Sequence, residues 1–343
     1  MAGIYLHIPF CRQACHYCNF HFSTSMGLKE DFLKGLLTEI ALRQDYLDHL
    51  PVNTIYFGGG TPSLLEQKEL DAILDEIHKC FPVSSDAEIT FEVNPDDVTR
   101  EKLIGWKHSG INRLSMGVQS FYEEDLIWMN RAHNSTQALD SIKMVQDAGF
   151  DNLTIDLIYG SPGLSDTKWE RNVRQAIELQ IPHLSCYALT VEPGTALDKM
   201  IAKKKSIPVH SDDQARQFLL LMDWLEKDGF EHYEISNFAK PGMHSRHNSN
   251  YWSGATYLGL GPSAHSYNGI SRQWNVANNM KYIQSLEIMK IPFESETLTP
   301  ANRHNEFVMV NLRKKEGINK SLFETLFGHE QLLRLSEGLT KYL

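Results

Sequence analysis

The sequence predicts an α/β protein, a partial (β/α)6 barrel of the TIM-like kind followed by a smaller, mainly helical C-terminal domain. Three observations carry this. Strand-like and helix-like segments alternate from the N-terminus to about residue 235, the pattern of parallel βα units. The strands are polar at every second position. The residues able to do chemistry gather at the strands' C-terminal ends, where a barrel carries its site.

Strands are expected at Gly3–Ile8, Thr54–Phe57, Glu88–Val93, Arg113–Val118, Asn152–Ile158 and His183–Ala188. Amphipathic helices fill the intervals, as at Leu28–Leu47, where Phe32, Leu36, Leu37 and Ile40 recur at helical spacing. Six such units would also suit an open doubly wound sheet, but successive side chains on a strand point to opposite faces. Ile4, Leu6 and Ile8 share one face, while Tyr5 and His7 share the other. Glu88, Thr90 and Glu92 oppose Ile89, Phe91 and Val93. Arg113, Ser115, Gly117 and Gln119 oppose Leu114, Met116 and Val118, and Asn152, Thr154 and Asp156 oppose Leu153, Ile155 and Leu157. A doubly wound sheet, covered on both faces, reads as nearly continuous apolar. A closed TIM barrel fills its interior with bulky branched side chains. A half-polar strand set implies instead an open interior with a hydrophilic guest.

Lys240-Pro241-Gly242 marks a boundary, dividing the chain into a core at 1–238 and a second domain at 239–343. Helical patterns there, around Ala277–Met289, Pro300–Arg313 and Ser321–Phe327, suggest a small lid. Gly259-Leu260-Gly261-Pro262-Ser263 reads as a tight turn near the barrel mouth.

Composition narrows the function. A net charge of -10 argues against a nucleic-acid partner held by phosphate neutralisation. No apolar run approaches the roughly 20 residues needed to span a bilayer. The opening MAGIYLHIPF lacks a basic signal-peptide start. Five cysteines is an odd count, and Cys80 and Cys186 read as small core hydrophobes. Unpaired thiols suit a reducing cytosol.

The remaining three cysteines stand as Cys11, Cys15 and Cys18, directly after the first strand. Three thiols at C-x3-C-x2-C can reach one centre, and thiolate is the usual ligand of iron–sulfur iron. Three ligands on a 4Fe-4S cluster leave one iron open to a small chelating molecule. A zinc site completed by His16 or His21 is the chemical alternative. The other strand ends add Gly58-Gly59-Gly60-Thr61-Pro62, Glu92, Gln119 and Asp156, with Arg131 in the loop after the fourth strand. The glycine run permits close backbone approach to a ligand. It is not G-x-G-x-x-G, so it does not indicate a dinucleotide site.

At this spacing the cysteine loop resembles the signature of the radical S-adenosylmethionine (SAM) superfamily. Tyr5-Leu6-His7-Ile8-Pro9-Phe10-Cys11, Phe57-Gly58-Gly59-Gly60-Thr61-Pro62, Leu114-Ser115-Met116-Gly117-Val118-Gln119-Ser120 and Ile155-Asp156-Leu157-Ile158-Tyr159-Gly160 extend the likeness to its coproporphyrinogen III oxidase-like branch. The resemblance implies a radical SAM-type barrel with a HemN-like C-terminal domain. It implies that Cys11, Cys15 and Cys18 hold the 4Fe-4S cluster. Tyr5, Tyr17, Gly59, Gly60, Thr61, Glu92, Gln119, Arg131, Asp156 and Ala188 would bind SAM, Tyr17 lying against the adenine. Glu92 can accept from the methionine ammonium, Arg131 can pair a carboxylate, and Asp156 can accept from ribose hydroxyls.

Within that branch the oxidases carry an N-terminal extension and a further cysteine two residues after the third, where Phe20 stands here. This chain instead contains His247-Asn248-Ser249-Asn250-Tyr251-Trp252, similar to the haem-binding signature of the HemW-type haem chaperones. That likeness implies haem held by His247, Tyr251 and Trp252, with His244 or His265 as other candidate ligands. It implies haem and acceptor haemoproteins as partners, in the cytoplasm, with peripheral contact to membrane haemoproteins. It also implies a further C-terminal segment past Leu343. The catalytic reading, oxidative decarboxylation of coproporphyrinogen III in porphyrin biosynthesis, is the alternative. Radical modification of RNA would require a basic appended domain.

Overall fold

Apolar side chains on one face of each early strand have to meet the helices, and that pairing builds the core. The computed structural model describes residues 1–340. Its strands are β1 (Ala2–Ile8), β2 (Val52–Gly59), β3 (Val83–Val93), β4 (Arg113–Gln119), β5 (Leu153–Tyr159), β6 (His183–Ala188), β7 (Glu231–Glu234), β8 (Asn237–Ala239), β9 (Thr256–Leu260), β10 (His265–Tyr267), β11 (Ser271–Asn275) and β12 (Phe293–Thr297). All lie in one sheet, ordered β12-β11-β10-β9-β1-β2-β3-β4-β5-β6-β8-β7. Strands β1 to β6 pair in parallel and in sequence, each joined to the next through helix. The order never returns β6 to β1 among the described residues, so the barrel is partial.

The outer face is dry. Ile4, Leu6, Ile8, Ile55, Phe57, Phe91, Leu114, Met116, Leu153 and Ile155 are buried against Phe32, Leu36, Ile73, Ile77, Ile142, Trp169 and Val173 from the helices. Each large side chain buried this way contributes about 1.5–3 kcal/mol relative to exposure. The helix expected at Leu28–Leu47 is shorter, Lys29–Leu42. Leu47 reaches the core through turns instead, with Asp48 and His49 at positive φ.

The inner face is polar and hydrogen-bonded across strands. Tyr56 donates to Glu92 Oε1 at 2.8 Å. Arg113 reaches Thr154, Thr154 meets His183 Nδ1 at 3.0 Å, and His183 Nε2 meets Tyr233 at 2.8 Å. Most buried polar groups are paired in this way, because an unpaired one is costly.

Residues 239–340 hold the expected helices, among them Asn279–Glu287, Pro300–Asn311 and Lys320–Phe327. They also contribute strands that the sequence reading missed. β9 pairs in parallel with the free edge of β1, and β10, β11 and β12 continue antiparallel. Segments of three to five residues are too short for a period-2 signal to stand out. Pairing them satisfies the edge N–H and C=O groups that β1 would otherwise present. The turn Gly261–Ala264 is locked to the barrel by buried Glu39. That carboxylate accepts from Gly261 N (2.8 Å), Tyr282 Oη (2.6 Å) and Asn275 Nδ2 (2.7 Å).

Candidate functional site: a three-thiol loop over a polar barrel mouth

The loop after β1 is held by its backbone. Cys11 N donates to Ser23 O, His16 N to Met129 O and Leu197 N to His16 O, at 2.8–3.1 Å. Asn130 Nδ2 donates to Ala14 O at 2.7 Å, and Gln13 Nε2 donates to Asn130 Oδ1 at 2.9 Å. So anchored, Cys11, Cys15 and Cys18 are free thiols lining one cavity of about 420 Å³ at the barrel mouth. That volume is within the range of small-ligand sites.

The three thiols fit a cluster better than a single ion. Among the described residues no group of three His, Cys, Asp or Glu side chains is close enough for one ion. A four-iron cluster is larger and spreads its thiolates. The histidines that could have completed a zinc site face elsewhere: His16 Nδ1 bonds Trp128 O at 2.7 Å, and His21 Nε2 bonds Asn279 Oδ1 at 2.6 Å. Burial pushes the Cys18 thiol up to about 11 and raises that of Cys11, so metal binding there would release protons.

Around the thiols stand residues from five further strand ends. Gly59, Gly60 and Thr61 follow β2, and Gly60 approaches Ile8 and Phe10 so closely that a Cβ would strike their carbonyls. Arg131 Nη1 donates to Cys15 Sγ at 3.2 Å, and Nη2 donates to Asn94 Oδ1 and Gly117 O, both at 2.8 Å. Arg131 Nε is buried without a partner. Gln119 ends β4 in the left-handed region, φ 69°, a strained position typical of sites. Burial pushes Glu92 up to about 7, against the pull of Tyr56 and the Gly59 backbone, and Asp156 up to about 6. Two buried carboxylates beside a guanidinium and an open mouth suit a zwitterion with a further cationic centre.

Of the residues expected at the SAM pocket, Tyr17, Gly59, Gly60, Thr61, Glu92, Gln119, Arg131, Asp156 and Ala188 line this cavity. Tyr5 does not. Its ring lies beneath, against Gly58 and stacked 6.0 Å from Tyr56, with its hydroxyl 3.3 Å from His7 Nδ1. Sequence reasoning missed Asn94, which holds Arg131, and Tyr187, which closes the cavity wall. The Val93-Asn94-Pro95 ending of β3 was the available signal for Asn94.

The sequence profile of the Radical SAM superfamily matches residues 5–176. The chain belongs to the radical SAM superfamily. Within it, the chain is 35% identical over 332 residues to the haem chaperone HemW of Bacillus subtilis, covering 96% of this chain and 87% of that protein. It is 38% identical over 272 residues to HemW of Escherichia coli, covering 77% and 69%. The radical SAM fold is seen again in the solved structure of E. coli HemN, a coproporphyrinogen III oxidase, with a TM-score of 0.84, 23% identity and coverage of 96% and 79%. At that identity the likeness speaks for the fold alone.

The three residues expected at haem, His247, Tyr251 and Trp252, share one helix. His247 lies on the helix Arg246–Ser253, which closes the barrel at the end away from the cysteine loop, beside Gly3 and Thr54 at the starts of β1 and β2. It is 2% exposed. Its Nδ1 meets Thr54 Oγ1 at 2.8 Å and its Nε2 meets Tyr251 Oη at 3.0 Å. The ring stacks 5.0 Å from Tyr56, and burial lowers its pKa to about 3. Both ring nitrogens are therefore hydrogen-bonded within the barrel floor. Tyr251 packs edge-on against Tyr257 at 4.7 Å, and Trp252 lies under the Arg313 guanidinium at 5.9 Å. Of the other candidates, His244 is bound to Glu231 at 2.8 Å, while His265 is exposed.

Proposed function

We propose that this radical SAM protein is a haem chaperone: it takes up haem and hands it to acceptor haemoproteins, and it carries a 4Fe-4S cluster on Cys11, Cys15 and Cys18 beside a SAM pocket. The observation that carries this is the identity of about a third with HemW haem chaperones along nearly the whole chain. The site supports the SAM half independently, because three free thiols and nine of the expected SAM residues share one cavity. When bound, the cluster and SAM together supply one-electron chemistry. The protein's own part is to bind and orient. Glu92 and Asp156 would accept from the ammonium and the ribose hydroxyls, Arg131 would pair the carboxylate, and Gly59-Gly60 would admit the ligand to the backbone. Unpaired cysteines fit a reducing compartment, and no described helix is long and apolar enough to cross a membrane.

The coproporphyrinogen oxidase reading is less favoured here. Phe20, 67% exposed at the mouth, stands where those enzymes have another thiol. The test is anaerobic reconstitution with iron and sulfide, haemin titration followed in the Soret region, and transfer to an apo-haemoprotein, alongside an assay of coproporphyrinogen decarboxylation. Haem uptake with onward transfer and no decarboxylation supports the chaperone. Decarboxylation without haem uptake overturns it.

A further inference from the structure

We propose that Tyr56 is a positioning residue for SAM: its hydroxyl, braced from the barrel floor, aims the Glu92 carboxylate at the α-ammonium of the methionine part. The inference rests on the SAM-pocket half of the reading above and adds to it a residue outside the cavity wall. A glutamate side chain has three torsions, the last of them broad, so its carboxylate keeps one direction only when a partner fixes it. Glu92 lines the cavity, whereas Tyr56 does not. Tyr56 Oη donates to Glu92 Oε1 at 2.8 Å. Among the described residues no other side chain hydrogen-bonds this carboxylate. The direction in which Glu92 points is therefore set from below, by one phenol.

Strand register makes the contact. Tyr56 pairs with Thr90 between β2 and β3, so Glu92, two residues on, stands on the same inward face and nearer the mouth. Tyr56 also pairs with Tyr5 on β1. Its ring packs with two others in a triangle, 6.0 Å from Tyr5 and 5.0 Å from His247, which are themselves 6.5 Å apart. Both neighbours are tied down. His247 is bonded to Thr54 Oγ1 and Tyr251 Oη, and Tyr5 Oη lies 3.3 Å from His7 Nδ1, so that hydroxyl does not compete for Glu92. Gly58 leaves the space in which these groups meet, for a Cβ there would lie 3.0 Å from Glu92 Oε1, from Tyr5 and from Tyr56.

The same bond favours the charged acceptor. Burial and the facing Asp156 raise the Glu92 pKa, while the Tyr56 hydroxyl and the Gly59 backbone hold it down. An ionised carboxylate has about four acceptor sites on its two oxygens, and Tyr56 takes one of them, on Oε1. The others remain for an ammonium. A hydroxyl that merely satisfied a buried carboxylate would stabilise the fold without favouring one group of the ligand over another. A positioning role is selective, because it acts on the amino end of SAM alone.

The test uses the full chain with its cluster reconstituted anaerobically, and calorimetry with two probes, SAM and its analogue lacking only the α-amino group. Tyr56→Phe keeps the ring triangle and removes the donor. It should weaken SAM binding about tenfold while the analogue binds as it does to wild type. Combined with Glu92→Gln, it should lower SAM affinity no further, because the two residues act through one contact. Wild-type SAM affinity in Tyr56→Phe overturns the assignment and leaves the pocket reading standing. So does an equal loss for both probes, the mark of a general structural defect. A Glu92→Gln protein that keeps the wild-type preference for SAM over the analogue removes the pocket reading and the inference together, as does absence of SAM binding by wild type.

Discussion

If Glu92 and Asp156 hold SAM as proposed, its binding should depend on pH. Burial raises both, to about 7 and about 6, in the ligand-free barrel. A carboxyl whose folded pKa is raised favours folding most below its unfolded pKa, and that contribution is lost as pH rises through the folded value. The ligand-free protein thus loses stability from these groups between about pH 4 and 7. The ammonium at Glu92 and the ribose hydroxyls at Asp156 are both donors that an ionised carboxylate accepts best, so the trend in binding is opposite. SAM affinity should rise from pH 5.5 to 8, and the SAM-induced gain in Tm should rise with it. Glu92→Gln should weaken SAM binding at pH 8 and flatten the profile. A profile that is level in wild type would refute the assignment of these carboxylates. Arg131 works at the same scale through a different property. Its fork joins Cys15, Asn94 and Gly117, and an ammonium cannot span all three. Arg131→Lys should therefore reduce SAM binding severalfold in calorimetry, and Asn94→Ala should do so by a smaller factor.

Besides the β1–β9 pairing, the helix Arg246–Ser253 and the helix Lys29–Leu42 tie the C-terminal strands to the barrel. The first starts on Glu88, whose carboxylate accepts from Arg246 N and His247 N, both at 3.0 Å. The second carries Glu39, which is fully buried with burial raising its pKa, and is surrounded by donors. Glu39→Ala would leave Gly261 N, Tyr282 Oη and Asn275 Nδ2 without their acceptor. Each orphaned buried donor costs about 1–3 kcal/mol, so a loss of at least about 3 kcal/mol is expected by urea unfolding. Glu39→Gln keeps acceptor capacity and should cost less. Equal stability of Glu39→Ala and wild type would show that the turn is held by packing alone.

These elements also show where the sequence was legible. Strands β1 to β6 and the thiol loop were readable because their apolar and polar positions alternate over six or more residues and their site groups sit at strand ends. Strands β9 to β12 were not, because their identity comes from the partner edge rather than from their own short runs. The HNxxYW stretch shows a related limit. Its residue types suit haem, and the Thr54 and Tyr251 contacts of His247 come from distant or one-turn neighbours that no local pattern displays.

For the molecule as a whole, the question is whether the cluster folds the protein or only occupies it. Small zinc domains gain their fold from the metal because they lack a core. Here the thiol loop hangs from a barrel whose core runs through β1 to β6 and their helices, and its backbone is tied to Ser23, Met129, Asn130 and Leu197 by bonds that involve no thiol. Removing the metal should therefore leave the sheet intact. The cluster-free protein, or Cys15→Ser, should keep its far-UV circular dichroism and a cooperative melt. Its Tm should fall only by the linkage that a ligand bound to the native state confers. SAM binding should fall much further, because the open iron would be gone while Glu92, Asp156 and Arg131 remained in place. Loss of cooperative unfolding on chelation would place the cluster within the folding core and contradict the anchoring described for residues 11–18.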